Sequence, residues 1–215
     1  MTDKIALITG ASRGLGFACA EALSPDYHVV AVGRTVGGLE DLDDAIKAKG
    51  GAATLAPMDV NEADAMAQLC RSIHDRWGTL DLWIHTAIHA APLAPAGLMD
   101  QKDWAKSVAT NVTAMGTLIP YISPLLGAGS QAIFFDDAHG GEKFYGAYGA
   151  TKAAQIALAK SWQAEGTSTD AKVSILTPNP MPTTTRARFF PGEDRDALAA
   201  PRDEAQRLLT AAGLL

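Results

Sequence analysis

Two side chains four residues apart, Tyr148 and Lys152, carry the reactive pattern that stands out first in this 215-residue chain. On a helix such positions share a face, so a phenol and an ammonium open into the same cleft. A nearby cation favours the phenolate. A phenol brought down from its ordinary pKa of about 10 towards neutrality is a usable acid for reducing a carbonyl or base for oxidising an alcohol. A second pattern, Thr9-Gly10-Ala11-Ser12-Arg13-Gly14-Leu15-Gly16, follows an apolar run and opens a helical one. Glycines there allow a tight turn and close approach of the main chain to a pyrophosphate, which then meets the unpaired N–H groups and positive end of the helix. A solvated helix face for Lys152, or a glycine turn that merely seats a helix on a sheet, is the plainer reading of each motif alone. A glycine turn of that kind leaves its strand-turn-helix context unexplained.

The surrounding pattern supplies the scaffold. Short apolar runs at Lys4–Thr9, Tyr27–Val32, Ala53–Pro57, Leu80–His85, Gln131–Phe135 and Val173–Thr177 alternate with segments of helical spacing. Crossover connections of that length require a parallel sheet, which makes the class α/β with a doubly wound, Rossmann-like sheet. Asn61 is read as the N-cap of the third helix. A long helix is expected from about Gln101 towards Leu126, kinked at Pro120 and closed by Gly127 and Gly129. No linker or repeat divides the chain, so residues 1–215 are taken as a single domain. The Pro-rich stretch Asn179–Arg202 is expected to be one long loop covering a ligand at the carboxyl edge of the sheet. Within it, Arg186 and Arg188 read as a solvated face, while Phe189 and Phe190 either line a pocket or pin the loop.

Composition narrows the partners. With 18 basic against 24 acidic residues, a net charge of −6 and a pI near 5.3, the chain lacks the clustered cations that nucleic acid requires. Cys19 and Cys70 have no second ligand at metal spacing, so no metal site and no disulfide framework is expected, only buried thiols. No apolar stretch is long enough for a membrane span and no leader pattern is present, so the expected location is the cytoplasm.

The glycine spacing, Tyr148-Gly149-Ala150-Thr151-Lys152 and the intervening Asn111 together resemble the short-chain dehydrogenase/reductase family. Asp59-Val60 and the pair Pro178 and Thr183 extend the likeness over nearly the whole chain. The resemblance implies six strands in the order 3-2-1-4-5-6 and an oxidoreductase that moves hydride between a nicotinamide and a carbonyl or secondary alcohol of a small molecule. Tyr148, Lys152 and Asn111 become the catalytic candidates, Asn111 through a water linked to Lys152. Gly10, Ser12, Arg13, Gly14, Leu15, Gly16, Arg34, Asp59, Val60, Ala87, Lys152 and Thr183 become the cofactor-binding candidates. Relatives that use NAD place a carboxylate at the end of strand two. Here Val32-Gly33-Arg34-Thr35 leaves room and positive charge for a 2′-phosphate, with Arg13 able to join, so NADP(H) is preferred and NAD(H) is the alternative. A homodimer through the helices of Asn111 and Tyr148 is implied, without the seventh strand of larger relatives.

Two departures qualify the likeness. Where the family carries a serine at the end of strand five, the chain reads Phe135-Asp136-Asp137-Ala138, and an ionised carboxylate accepts a hydrogen bond but cannot give one to a substrate oxygen. Loss of such a donor is worth about 2.7–4 kcal/mol. After strand four, His85-Thr86-Ala87-Ile88 replaces the family's Asn-Asn-Ala-Gly. A catalytically impaired dinucleotide-binding or sensing protein is therefore the competing expectation.

Overall fold

Strands buried on both faces read as continuous apolar runs rather than alternating ones, and this sheet is built from such runs. The structure, a computed structural model, describes residues 4–167 and 170–215. Its strands are β1 Lys4–Thr9, β2 Tyr27–Gly33, β3 Ala53–Pro57, β4 Leu80–His85, β5 Leu126–Phe135 and β6 Lys172–Leu176. All pair in parallel, in the order β3-β2-β1-β4-β5-β6, and they are the strands of the sheet among the described residues. The α/β class, the parallel Rossmann-like sheet and its strand order are as expected.

Helices cover both faces: α1 Gly14–Leu23, α2 Val36–Ala48, α3 Ala63–Trp77, α4 Gln101–Ser107, α5 Ala114–Ile122, α6 Gly146–Glu165, α7 Thr184–Phe189 and α8 Pro201–Ala212. Alternate residues of one strand serve opposite cores. Ile8, Ala31 and Ile84 join α1, α2 and α8 in one core, whereas Leu7, Val30 and Trp83 join α3, α5 and α6 in the other. The reversal of strand order between β1 and β4 opens a crevice at their carboxyl ends, where ligands of such sheets bind.

Several local expectations need correction. Asn61 does not cap α3; the N-cap position is Glu62, without a side-chain bond, and the Asn61 amide instead donates to Thr110 Oγ1 at 3.1 Å. Asp59 Oδ1 accepts the Asn61 N–H at 3.0 Å, turning the chain before the helix starts. The expected long helix departs from α geometry at Val108–Thr113, one π-helical turn, and not at Pro120, which lies within the last turn of α5. Gly127 and Gly129 do not close that helix: they fall inside β5, where the register against β4 shifts between Leu80 and Leu82. The 179–202 segment is not a single irregular loop, because Thr183 Oγ1 accepts the Arg186 N–H and caps the short α7 within it. Its first residue is anchored: the Asn179 N–H and side-chain amide both donate to the buried carboxylate of Glu204, at 2.7 and 3.0 Å.

Candidate functional site

A cavity of about 550 Å³ opens at the carboxyl edge of the sheet and is bounded by the β1–α1 turn, the ends of β4 and β5, α6 and the 178–189 segment. Its glycine end is shaped by main-chain packing. A Cβ on Gly10, whose φ is +91°, would stand 2.6 Å from the Ala87 nitrogen, and one on Gly16 would stand 2.4 Å from Thr86 Oγ1 and 2.5 Å from the Gly10 oxygen. The glycines at these two positions thus seat the turn against the end of β4. Thr86 locks it there, its hydroxyl donating to Thr9 O at 2.9 Å. Gly14, at φ +60°, faces Thr183 across the cavity mouth: a Cβ on it would stand 3.5 Å from Thr183 Cγ2. The first turn of α1 has neither a side-chain cap nor an acidic residue, so its amide N–H groups remain available to an anion.

Ser12, Arg13, Leu15, Asp59, Val60 and Ala87 also line this cavity, as do Arg34 and Thr183. A Cβ at Gly33 would lie 3.0 Å from Ser12 Cβ and 3.2 Å from Ser12 Oγ, so the glycine lets the β1–α1 turn pack closely on the end of β2. Arg34, with 58% of its side chain exposed, lies 3.7 Å from Asp59 Oδ2.

At the opposite end, α6 buries Tyr148, Thr151, Lys152 and Gln155 on one face, as the spacing requires. The phenol is engaged. Tyr148 Oη donates to Asp137 Oδ2 at 2.6 Å, while the other oxygen of that carboxylate accepts His139 Nδ1 and the His139 main-chain N–H. Burial and the Asp137 charge push the Tyr148 pKa above its ordinary value, the reverse of the lowering expected from Lys152. For Asp137, burial alone would favour protonation, but hydrogen bonds from Tyr148 and His139 outweigh it and hold the carboxyl below its usual range. Lys152 Nζ donates to Gln155 Oε1 at 2.7 Å, and burial lowers its pKa to about 8. His85, buried with Nδ1 2.8 Å from Thr9 Oγ1, is kept neutral by burial and by Lys152, its pKa falling to about 3.

Asn111 does not line the cavity. Fully buried in the π-helical turn, it accepts the His89 N–H at 2.7 Å and donates to His89 O and Thr151 Oγ1, each at 2.9 Å, fastening the loop after β4 to α6. Arg188 is exposed, as expected, whereas Arg186 is only partly so. Arg186 makes two bonds to Glu193, at 2.7 and 2.6 Å, and lies over the Phe190 ring, and Arg188 donates to the carbonyl of Ala90. Phe189 both lines the cavity and packs on Tyr148, their ring centroids 4.8 Å apart. His139, which the sequence reading passed over, stacks on Tyr145 with centroids 4.3 Å apart and sits on the cavity wall. Its signal was present as a carboxylate followed two residues later by an imidazole, a pair that a tight turn folds together.

Both cysteines are buried and unpaired, and burial raises their pKa values to about 12 for Cys19 and about 11 for Cys70. Among the described residues no helix is long and apolar enough to cross a membrane.

A family model for short chain dehydrogenases matches residues 4–194. The chain belongs to the short chain dehydrogenase family. The ketoacyl reductase HetN of Nostoc sp. is 31% identical over 186 residues, covering 83% of this chain and 63% of that protein, so the chain spans less than two thirds of that relative's length. A short chain dehydrogenase of Salmonella enterica serovar Typhi superposes with a TM-score of 0.89 at 25% identity, covering 97% of this chain and 91% of the other. One from Shigella flexneri, solved in complex with NADP, gives 0.84 at 26% identity over 94% and 88% of the two chains. The Tyr148–Asp137–His139 contacts of this chain thus stand on a short chain dehydrogenase scaffold.

Proposed function

We propose that this chain is an NADP(H)-dependent oxidoreductase moving hydride between the nicotinamide and a carbonyl or secondary alcohol of a small molecule. The observation that carries the reading is the uncapped first turn of α1, facing the same cavity as Tyr148 and Lys152. That turn fits a pyrophosphate: Gly10, Ser12, Arg13, Gly14, Leu15 and Gly16 would hold it, with Thr183 opposite and Asp59, Val60 and Ala87 beside the adenosine end. Arg34 and Arg13 suit a 2′-phosphate, and the end of β2, Val32-Gly33-Arg34, carries no carboxylate of the kind that NAD would use. The bound dinucleotide supplies or takes the hydride; the relative from Shigella flexneri solved with NADP supports this choice.

In the oxidising direction the substrate hydroxyl passes its proton to Tyr148 Oη while Tyr148 passes its own to Asp137 Oδ2, 2.6 Å away. Reduction runs the same transfers backwards and needs Asp137 protonated first, which its depressed pKa opposes at neutral pH. Lys152 steers the site electrostatically and would hold the nicotinamide ribose, while Asn111 positions Thr151 and the loop after β4. Residues 1–215 act as one cytoplasmic domain with 179–202 covering the substrate, and α6 offers its exposed Leu158 to a second copy. One observation favours the alternative of a catalytically impaired binding protein: the Tyr148 hydroxyl already donates its hydrogen bond to a carboxylate. NADPH fluorescence titration, followed by an alcohol and carbonyl panel on the wild type and Tyr148→Phe, tests the proposal. Binding with turnover lost in the variant is expected, whereas binding with no wild-type turnover favours the impaired protein.

A further inference from the structure

Reduction of a carbonyl builds negative charge on oxygen and calls for hydrogen-bond donors at that spot. Beside Tyr148 this chain instead presents the acceptor Asp137, which takes the Tyr148 hydroxyl at 2.6 Å on one oxygen and His139 on the other. None of the nearby cations hydrogen-bonds the Asp137 carboxylate: Arg186 donates to Glu193, Arg188 to the Ala90 carbonyl and Lys152 to Gln155. The neighbouring wall is aromatic, with Phe189 tilted 56° against the Tyr148 ring at 4.8 Å. Fixed negative charge beside aromatic faces is the complement of an organic cation.

Resting on the dinucleotide reading, we propose that this pocket takes a protonated C=N bond, an iminium, and its amine in the reverse direction, in preference to a ketone of the same shape. The iminium carbon gains a hydride from the dihydronicotinamide, the C=N π pair becomes the nitrogen lone pair, and the oxidised dinucleotide is released. Charge disappears from the substrate in that step, and no proton has to arrive during it. Carbonyl reduction needs the proton that Tyr148 holds in its hydrogen bond to Asp137. The iminium does not, so the carboxylate at the end of β5 favours this substrate over the ketone. In the unreacted complex Asp137 pairs with the cation electrostatically, and Phe189 and Tyr148 supply the apolar contact that a ring system needs.

The paired probes are 3,4-dihydroisoquinoline and 1-tetralone, benzo-fused bicyclic compounds of similar size with a ring C=N and an exocyclic C=O, followed at 340 nm with NADPH. In the wild type kcat/KM for the imine is expected to exceed that for the ketone by about 100-fold, the scale of a missing oxyanion donor. Asp137→Ser should reverse the order, and Asp137→Asn, which keeps the shape and removes the charge, should abolish the imine advantage. Calorimetry with protonated 1,2,3,4-tetrahydroisoquinoline, without dinucleotide, gives a readout independent of turnover: both variants should bind it about tenfold more weakly. A ketone-preferring wild type, or an unchanged cation affinity in Asp137→Asn, overturns the proposal. Cation binding that depends on Asp137 in a protein that ignores NADPH would uphold the cation site and refute the dinucleotide reading.

Discussion

At the amino end of α1 the cavity wall is main chain, pressed by Gly10 and Gly16 against Thr86 and Ala87; at the end of β5 it is a string of side chains, Tyr148, Asp137 and His139. At Gly10 and Gly16 the first wall leaves no room for substitution, since a Cβ there collides with backbone. The second can change its charge and proton chemistry by a single residue while β5 and α6 stay where they are. A scaffold of this kind can therefore hold its glycine end fixed and alter the chemistry at the other.

Four experiments probe the contrast. The largest effect is expected from Tyr148→Phe, which removes the hydroxyl between substrate and Asp137: kcat should fall about 10²–10⁴-fold while NADPH affinity holds, measured by steady-state kinetics and fluorescence. Retained turnover would show that the β5 end works without its phenol. At the main-chain end, Gly16→Ala puts a methyl 2.4 Å from Thr86 Oγ1 and 2.5 Å from the Gly10 oxygen, and should cost about 1–3 kcal/mol in urea unfolding, with NADPH binding weakened alongside. An Ala variant as stable as the wild type would remove the distinction between the two ends. Arg34→Ala, at an exposed position 3.7 Å from Asp59, should weaken NADPH about tenfold and NADH hardly at all in parallel titrations.

The smallest effect concerns pH. A carboxyl with a depressed folded pKa contributes stability that is present above its ordinary value near 3.8 and is lost as pH falls through the folded value. Asp137→Asn should therefore flatten the acid limb of the thermal stability profile below about pH 4, by about 1 kcal/mol or less. Tyr148, raised by burial and Asp137, shifts the other way: its contribution holds at and below the ordinary phenol value and fades only as pH rises through the folded one. Difference absorbance at 295 nm should accordingly show its phenolate appearing above the ordinary range in the wild type and earlier in Asp137→Asn.

Much of the scaffold could be read before any coordinates were known, because apolar runs, crossover lengths and glycine punctuation are local properties of the chain. β1, β3 and β4 fall on the expected residues, and the glycine turn lies where its motif placed it. Local misreadings arose where a residue had two partners to choose from. Asn61 has the side chain of a good cap, yet Thr110, distant in the chain, offers it a bond. The 179–202 segment contained Thr183 as a cap for α7, a signal outweighed by its prolines.

The type of each reactive group, and the fact that Tyr148 and Lys152 share a helix face, followed from residue order alone, since a helix carries its periodicity wherever it sits. Which group touches which did not. Lys152 was expected to lower the Tyr148 pKa, but the turn after β5 lays Asp137 on the phenol and α6 directs Lys152 to Gln155, so the sign of the shift reversed. Proton affinity in a buried site depends on contacts within a few ångströms among segments far apart in the chain, and only the packing of β5, α6 and α7 settles those distances.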